Sequence, residues 1–187
     1  FVRAWYDTNG DGIGDLNGVT AKLDYLQSLG VSGIWLMPIN PSPTYHGYDV
    51  TDYEGINPQY GSMADFEKLV SEAHKRGIEV IIDLVINHSS DQHPWFKSAL
   101  DPHSQYRHWY TWAGKDTDLK AISAVDGPAW HANGKQHYLG DFTGAMPDLN
   151  YDEPAVRREM IAIGKFWLGK GADGFRLDAA RHIYDDL

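Results

Sequence analysis

Gly171-Ala172-Asp173-Gly174-Phe175-Arg176-Leu177-Asp178-Ala179-Ala180-Arg181-His182 decides the fold. Its middle reads as a short strand. Side chains alternate along a strand, so Phe175 and Leu177 share one face, and Gly174, Arg176 and Asp178 share the other. The apolar face should meet helices, and the polar face should line a barrel or cleft interior. A guanidinium beside a carboxylate favours the charged carboxylate. An aspartate kept ionised at the end of a buried strand can attack an electrophilic carbon. A structural ion pair is the plainer reading of the same two residues.

The run before this strand is helical in pattern. Asp152 caps it, Pro154 sits in its first turn, and Val156, Met160, Ile163 and Trp167 form its apolar stripe. The same helix–glycine–strand succession occurs at Gly30-Val31 and Gly77-Ile78. Upstream, residues 1–5 read as a strand. A helix over 18–29 carries Leu23, Leu26 and Leu29 on one stripe, and residues 32–37 read as a second strand. Ser62 and Asp65 have capping-box spacing ahead of a helix whose inward residues are Phe66, Leu69, Val70 and Ala73. Residues 78–86 form an apolar run interrupted by Asp83, as expected of a parallel strand buried on both faces. Helical periodicity disappears after His88, where Trp, Tyr, His, Gly and Asp dominate up to Asn150. A structureless loop of that length is uncommon in a compact domain, so a small insertion with short strands is expected. The pattern is α/β with a parallel sheet and right-handed crossovers, as in a doubly wound sheet or a (β/α)₈ barrel. In both, function lies at the C-terminal ends of the strands.

Composition narrows the partners. A formal net charge of −10 over 187 residues argues against nucleic acid, which needs clustered Lys and Arg. Without cysteine there is no disulfide framework or thiolate metal site, and the compartment stays open. No apolar run approaches the ~20 residues of a membrane span. Seven Trp and eleven Tyr can fill a core, and a sugar-binding cleft also uses such flat aromatic faces.

Polar and aromatic residues gather after the expected strands. Residues 7–15 place side-chain oxygens at Asp7, Asn9, Asp11 and Asp15, with the Ile13 carbonyl between them. Such a loop suits a hard cation with six to eight oxygen ligands. It is not an EF-hand, because Gly18 stands where a bidentate Glu is needed, and Asn-Gly and Asp-Gly are also ordinary turn signals. Tyr45-His46-Gly47-Tyr48-Asp49 follows the second strand, Asn87-His88 the third, and Asp178 and His182 the fourth. A transition-metal site built from His88, His182 and Asp178 lacks any HxH or HExxH spacing. Neutral histidines donating to substrate hydroxyls fit better.

Three motifs carry a resemblance. Asp83-Leu84-Val85-Ile86-Asn87-His88, Met146-Pro147-Asp148-Leu149-Asn150 and the segment from Gly174 to His182 resemble conserved regions of the α-amylase family of glycoside hydrolases. The Met-Pro-Asp-Leu-Asn form is similar to the branch intermediate between oligo-1,6-glucosidases and neopullulanases. The resemblance implies the first half of a (β/α)₈ TIM barrel, with four β/α units and a domain B insertion after the third strand. Residues 1–88 would be barrel units one to three and residues 89–150 domain B. Residues 151–187 would hold the third helix, the fourth strand and the start of the following segment. It implies Asp178 as catalytic nucleophile, Arg176 as its partner, and Tyr48, Asp49, His88, Arg181 and His182 as substrate-binding residues. Calcium would be held by Asp7, Asn9, Asp11, the Ile13 carbonyl and Asp15. Asn87 and Asp148 match ligands of a second calcium site found in part of the family.

The implied function is a retaining hydrolase of α-1,4-glucans such as starch and maltooligosaccharides, acting through a covalent glycosyl-enzyme. The alternatives are a glucan transferase, a trehalose synthase or oligo-1,6-glucosidase-type enzyme of the same family, or a catalytically silent glycan-binding relative. The general-acid Glu is expected outside these residues, because none of Glu54, Glu67, Glu72, Glu79, Glu153 and Glu159 falls at the end of an expected strand. The expected partner is therefore the other half of the barrel, and the chain alone is expected to be inactive.

Overall fold

A computed structural model describes residues 1–184; the end of the 151–187 segment, residues 185–187, lies outside the described residues. The chain divides into two compact units. The first comprises Phe1–Pro41, Asp52–Leu84 and Ile163–Leu177; the second comprises Ser42–Thr51, Val85–Ala162 and the chain from Asp178.

The first unit holds a three-stranded sheet of β1 (Gly33–Leu36), β2 (Glu79–Val85) and β5 (Gly174–Asp178), in the order β1-β2-β5. β1 and β2 pair in parallel, with Gly33 opposite Glu79 and Leu36 opposite Ile82. The apolar run expected to be a buried strand is therefore the central one. Val80 and Ile82 are fully buried, as is Asp83. Asp173 locks the start of β5, accepting a hydrogen bond from Val80 N–H at 2.7 Å.

Residues 1–5 do not form a strand. Val2–Ala4 is a 3₁₀ turn, because Ala4 N–H bonds Phe1 C=O and Trp5 N–H bonds Val2 C=O, while Gly14 N–H takes the Arg3 carbonyl. The backbone groups that a ladder needs are spent locally. That contact also explains Gly14: a Cβ there would lie 2.1 Å from the Val2 oxygen, and one at Gly18 would lie 1.8 Å from the Tyr6 oxygen.

The expected helix over 18–29 is two short helices, α1 (Leu16–Ala21) and α2 (Leu23–Ser28), broken at Lys22 with φ −105° and ψ 8°. α3 (Met63–His74) begins with the expected capping box, Ser62 and Asp65 exchanging side-chain-to-backbone bonds. Phe66, Leu69 and Ala73 are fully buried on its inner face, and Phe66 meets Trp167 edge to face at 5.2 Å. The Trp167 indole donates to the Tyr53 carbonyl at 2.8 Å, so a buried polar atom is satisfied. Leu177, expected against helices, is 47% exposed.

The second unit holds the aromatic-rich segment. α4 (Pro94–Ala99) and the antiparallel hairpin of β3 (Trp130–Asn133) and β4 (Gln136–Leu139) lie in it. Phe96 packs edge to face on Tyr110 and Tyr138 at 5.0 and 4.8 Å. The Tyr110 hydroxyl is satisfied by Ser89 Oγ at 2.7 Å, and burial pushes that phenol well above its ordinary range. The short strands expected of the insertion are present. α5 (Pro154–Gly169) starts one residue later than a cap at Asp152 requires: Glu153 Oε1 accepts from Ala155 N–H at 3.0 Å.

Candidate active site

β5 delivers Asp178 at its last position, and the chain turns immediately. Ala179 adopts the left-handed conformation with φ 50°, and a 3₁₀ turn, Ala180–His182, follows, closed by His182 N–H on the Ala179 carbonyl at 2.9 Å. A non-glycine residue in this region stores about 1 kcal/mol or more. The turn swings His182 out of the strand direction.

Within the second unit, Asp178 shares an electrostatic neighbourhood with His88. Burial pushes His88 down to about 4, against the opposing pull of Asp178, the Tyr48 carbonyl and Asp49, with His46 adding to the depression. His88 is only 1% exposed, so its ring is neutral at physiological pH. Its Nε2 lies 3.2 Å from the Tyr48 carbonyl oxygen. A carbonyl only accepts, so Nε2 carries the proton. Asp49 is 1% exposed, its Oδ1 accepting from Ser42 Oγ at 2.5 Å and from the Thr44 hydroxyl. Tyr48 is partly exposed, with its ring stacked on His46 at 6.1 Å.

His182 lies in the same unit, its ring 5.3 Å from Phe142, and Phe142 lies 5.4 Å from His88. Nδ1 of His182 is 2.9 Å from Asp141 Oδ2, and Arg181 Nε–H donates to its Nε2 at 3.0 Å. His88 donates to Tyr48, and His182 presents to Arg181 a nitrogen that accepts. Asp141, Phe142, Ser42 and Thr44 escaped sequence reasoning, since nothing in their local pattern marks them.

In the first unit, Arg176 Nη1 reaches both oxygens of Asp83 at 3.1 and 3.2 Å. Its guanidinium lies 5.2 Å from the Trp35 ring centre. Asp83, the charge interrupting the apolar run, is thereby paired. Three of the glutamates take structural duties: Glu67 pairs with Lys170 at 2.8 Å, Glu72 with Lys75 and Arg76 at 2.6 and 2.9 Å, and Glu153 caps α5.

The acidic loop curls on its own backbone. Asp7 accepts from Asn9, Gly10 and Gly12 N–H at 3.0, 2.7 and 2.8 Å, and these bonds, Gly12 foremost, hold its carboxyl below the ordinary range. Asn9 Oδ1 accepts from Asp11 N–H, and Asp11 Oδ1 from Ile13 N–H. Asp15 caps α1 through Gly18 N–H at 2.6 Å and also accepts from Thr8. These all-oxygen donors suit a hard cation chemically. Among the described residues, however, no three or more His, Cys, Asp or Glu are grouped to hold a metal ion. Asn87 and Asp148 are buried and bonded to each other at 3.2 Å, and Asp148 Oδ2 also accepts from Asp141 N–H at 3.0 Å.

The family model of the α-amylase catalytic domain matches residues 1–187. The chain belongs to the α-amylase family. It is 50% identical over 187 residues to alpha-amylase 3 of Dictyoglomus thermophilum, covering all of this chain and 36% of that protein. It is 46% identical to the oligo-1,6-glucosidase of Parageobacillus thermoglucosidasius, covering 98% of this chain and 34% of that one. The crystal structure of the alpha-amylase from H. orenii superposes with a TM-score of 0.93 at 56% identity, over 100% of this chain and 40% of that chain. The chain thus spans about a third of the length of the curated relatives it matches. Its fold is the N-terminal part of the family's (β/α)₈ barrel, carrying the insertion.

Proposed function

We propose that the chain is the nucleophile-bearing part of a retaining α-glucan hydrolase of the α-amylase type, acting on α-1,4-linked chains. The observation that carries this reading is the placement of Asp178 at the end of β5, in the electrostatic neighbourhood of a buried, neutral His88. Asp178 attacks the anomeric carbon as the glycosidic bond breaks, giving a covalent glycosyl-enzyme. A carboxylic acid ~5–5.5 Å away protonates the departing oxygen, and water later releases the sugar. That acid comes from outside these residues, since the glutamates with assigned partners serve as surface pairs and a helix cap. Arg176 supplies fixed positive charge on the strand that ends in Asp178. Tyr48, Asp49, His88, Arg181 and His182 contact the sugar. The test is incubation of the full-length protein with maltooligosaccharide. Release of shorter products with retained anomeric configuration is expected, and inverted products would overturn the mechanism.

Calcium belongs to the same reading. Its ligands are Asp7, Asn9, Asp11, the Ile13 carbonyl and Asp15, and a bound ion would tie the loop to the start of α1. A second ion would use Asn87 and Asp148.

A further inference from the structure

Asp141 is 3% exposed and fully engaged. Its Oδ1 accepts from Ala124 N–H at 2.9 Å, and its own N–H donates to Asp148 Oδ2 at 3.0 Å. Its Oδ2 lies 2.9 Å from His182 Nδ1. On the far side of the imidazole stands Arg181, whose Nε–H points at Nε2 from 3.0 Å. A carboxylate only accepts and a guanidinium only donates. The ring between them is satisfied in one state: proton on Nδ1, lone pair on Nε2. An imidazolium, or the opposite tautomer, would set N–H against N–H at Arg181. His88 is held the other way round, with its proton on Nε2 facing the Tyr48 carbonyl. The two partners of His182 also differ in freedom. Asp141 is buried within its own bonds, whereas Arg181 is exposed and can leave Nε2 when another donor arrives.

We propose that Asp141 is a positioning residue for His182: it fixes the imidazole as the Nδ1–H tautomer, so that His182 meets the sugar as an acceptor of a hydroxyl hydrogen. The inference rests on the proposed glycosidase reading for the sugar, and on the structure alone for the tautomer. Its sequence neighbour Phe142 packs against both histidine rings, so the dipeptide that sets the tautomer of His182 also lies against the ring of His88.

The experiment is ¹⁵N–¹H correlation of the histidine rings in the full-length protein, with His182 assigned by the resonance lost in His182→Gln. His182 should show a protonated Nδ1 and an unprotonated Nε2. Asp141→Ala should release the ring into a mixture of tautomers, and Asp141→Glu should restore the original pattern in part. Asp141→Asn, nearly isosteric, replaces the alanine variant if circular dichroism shows that variant unfolded. On maltooligosaccharide the same substitution should raise KM about tenfold with a smaller change in kcat. Simple loss of folded enzyme would lower the rate at constant KM. A wild-type His182 protonated on Nε2, or ring nitrogens unmoved in the folded variant, would overturn the proposal. If the shifts move as expected but the wild type cleaves no α-glucan, the tautomer assignment stands and the glycosidase reading fails.

Discussion

Residues 7–15 and the polar cluster after the third and fourth expected strands are both rich in aspartate, yet they satisfy it in opposite ways. The loop keeps Asp7 and Asp11 at the surface and pairs their oxygens with backbone N–H groups two to five residues away. The cluster buries Asp141 and Asp148, whose side-chain partners stand tens of residues away: Asp141 meets His182, and Asp148 meets Asn87. Charge at the surface costs little and is solvated whatever its partner. Charge taken out of water must be matched atom by atom, or the penalty runs to several kcal/mol. The loop is therefore tolerant and local, and the cluster exacting and long-range.

The largest expected effect lies in the cluster. In the full-length enzyme, Asp178→Asn should lower kcat by at least about three orders of magnitude with the fold intact, since the amide cannot form the glycosyl-enzyme. Near-normal turnover would remove Asp178 from its role.

His88 should show the cost of burial as a pH effect. Its pKa falls from 6.5 unfolded to about 4 folded, so the unfolded state binds the proton more tightly. Stability from this group is present above pH 6.5 and is lost as pH falls towards 4, by about 3 kcal/mol in all and about 2 kcal/mol at pH 5. Urea titrations at pH 7 and pH 5 should show a smaller drop for His88→Gln than for wild type. Equal drops would mean that His88 is not held neutral by burial.

The loop should respond to calcium. Saturation to about 100 times the dissociation constant should add about 2.7 kcal/mol, reversed by chelator and weakened in Asp11→Ala. A melting temperature indifferent to both calcium and chelator would falsify the calcium assignment.

The smallest effect tests whether Asp15 is a cap or chiefly a ligand. Asp15→Ala should cost about 1 kcal/mol or more in calcium-free buffer through loss of the Gly18 N–H cap together with the bonds from Thr8. No loss under those conditions would leave metal binding as its only duty.

By itself the sequence determined what repeats over short distances. Apolar spacing and Ser62-x-x-Asp65 placed α3, the run broken by Asp83 placed the central strand, and three motifs placed the chain in its family. It misplaced features in which two local solutions differ by little energy. Residues 1–5 can extend or close a 3₁₀ turn, and Lys22 can continue a helix or break it. Only the tertiary structure decided which groups meet across the chain: Asp83 with Arg176, Asp141 with His182, Asn87 with Asp148. The reason is physical. Periodicity records which face of an element avoids water, a property each residue carries alone. A hydrogen bond depends on two atoms about 3 Å apart, and residues 141 and 182 have no local pattern in common.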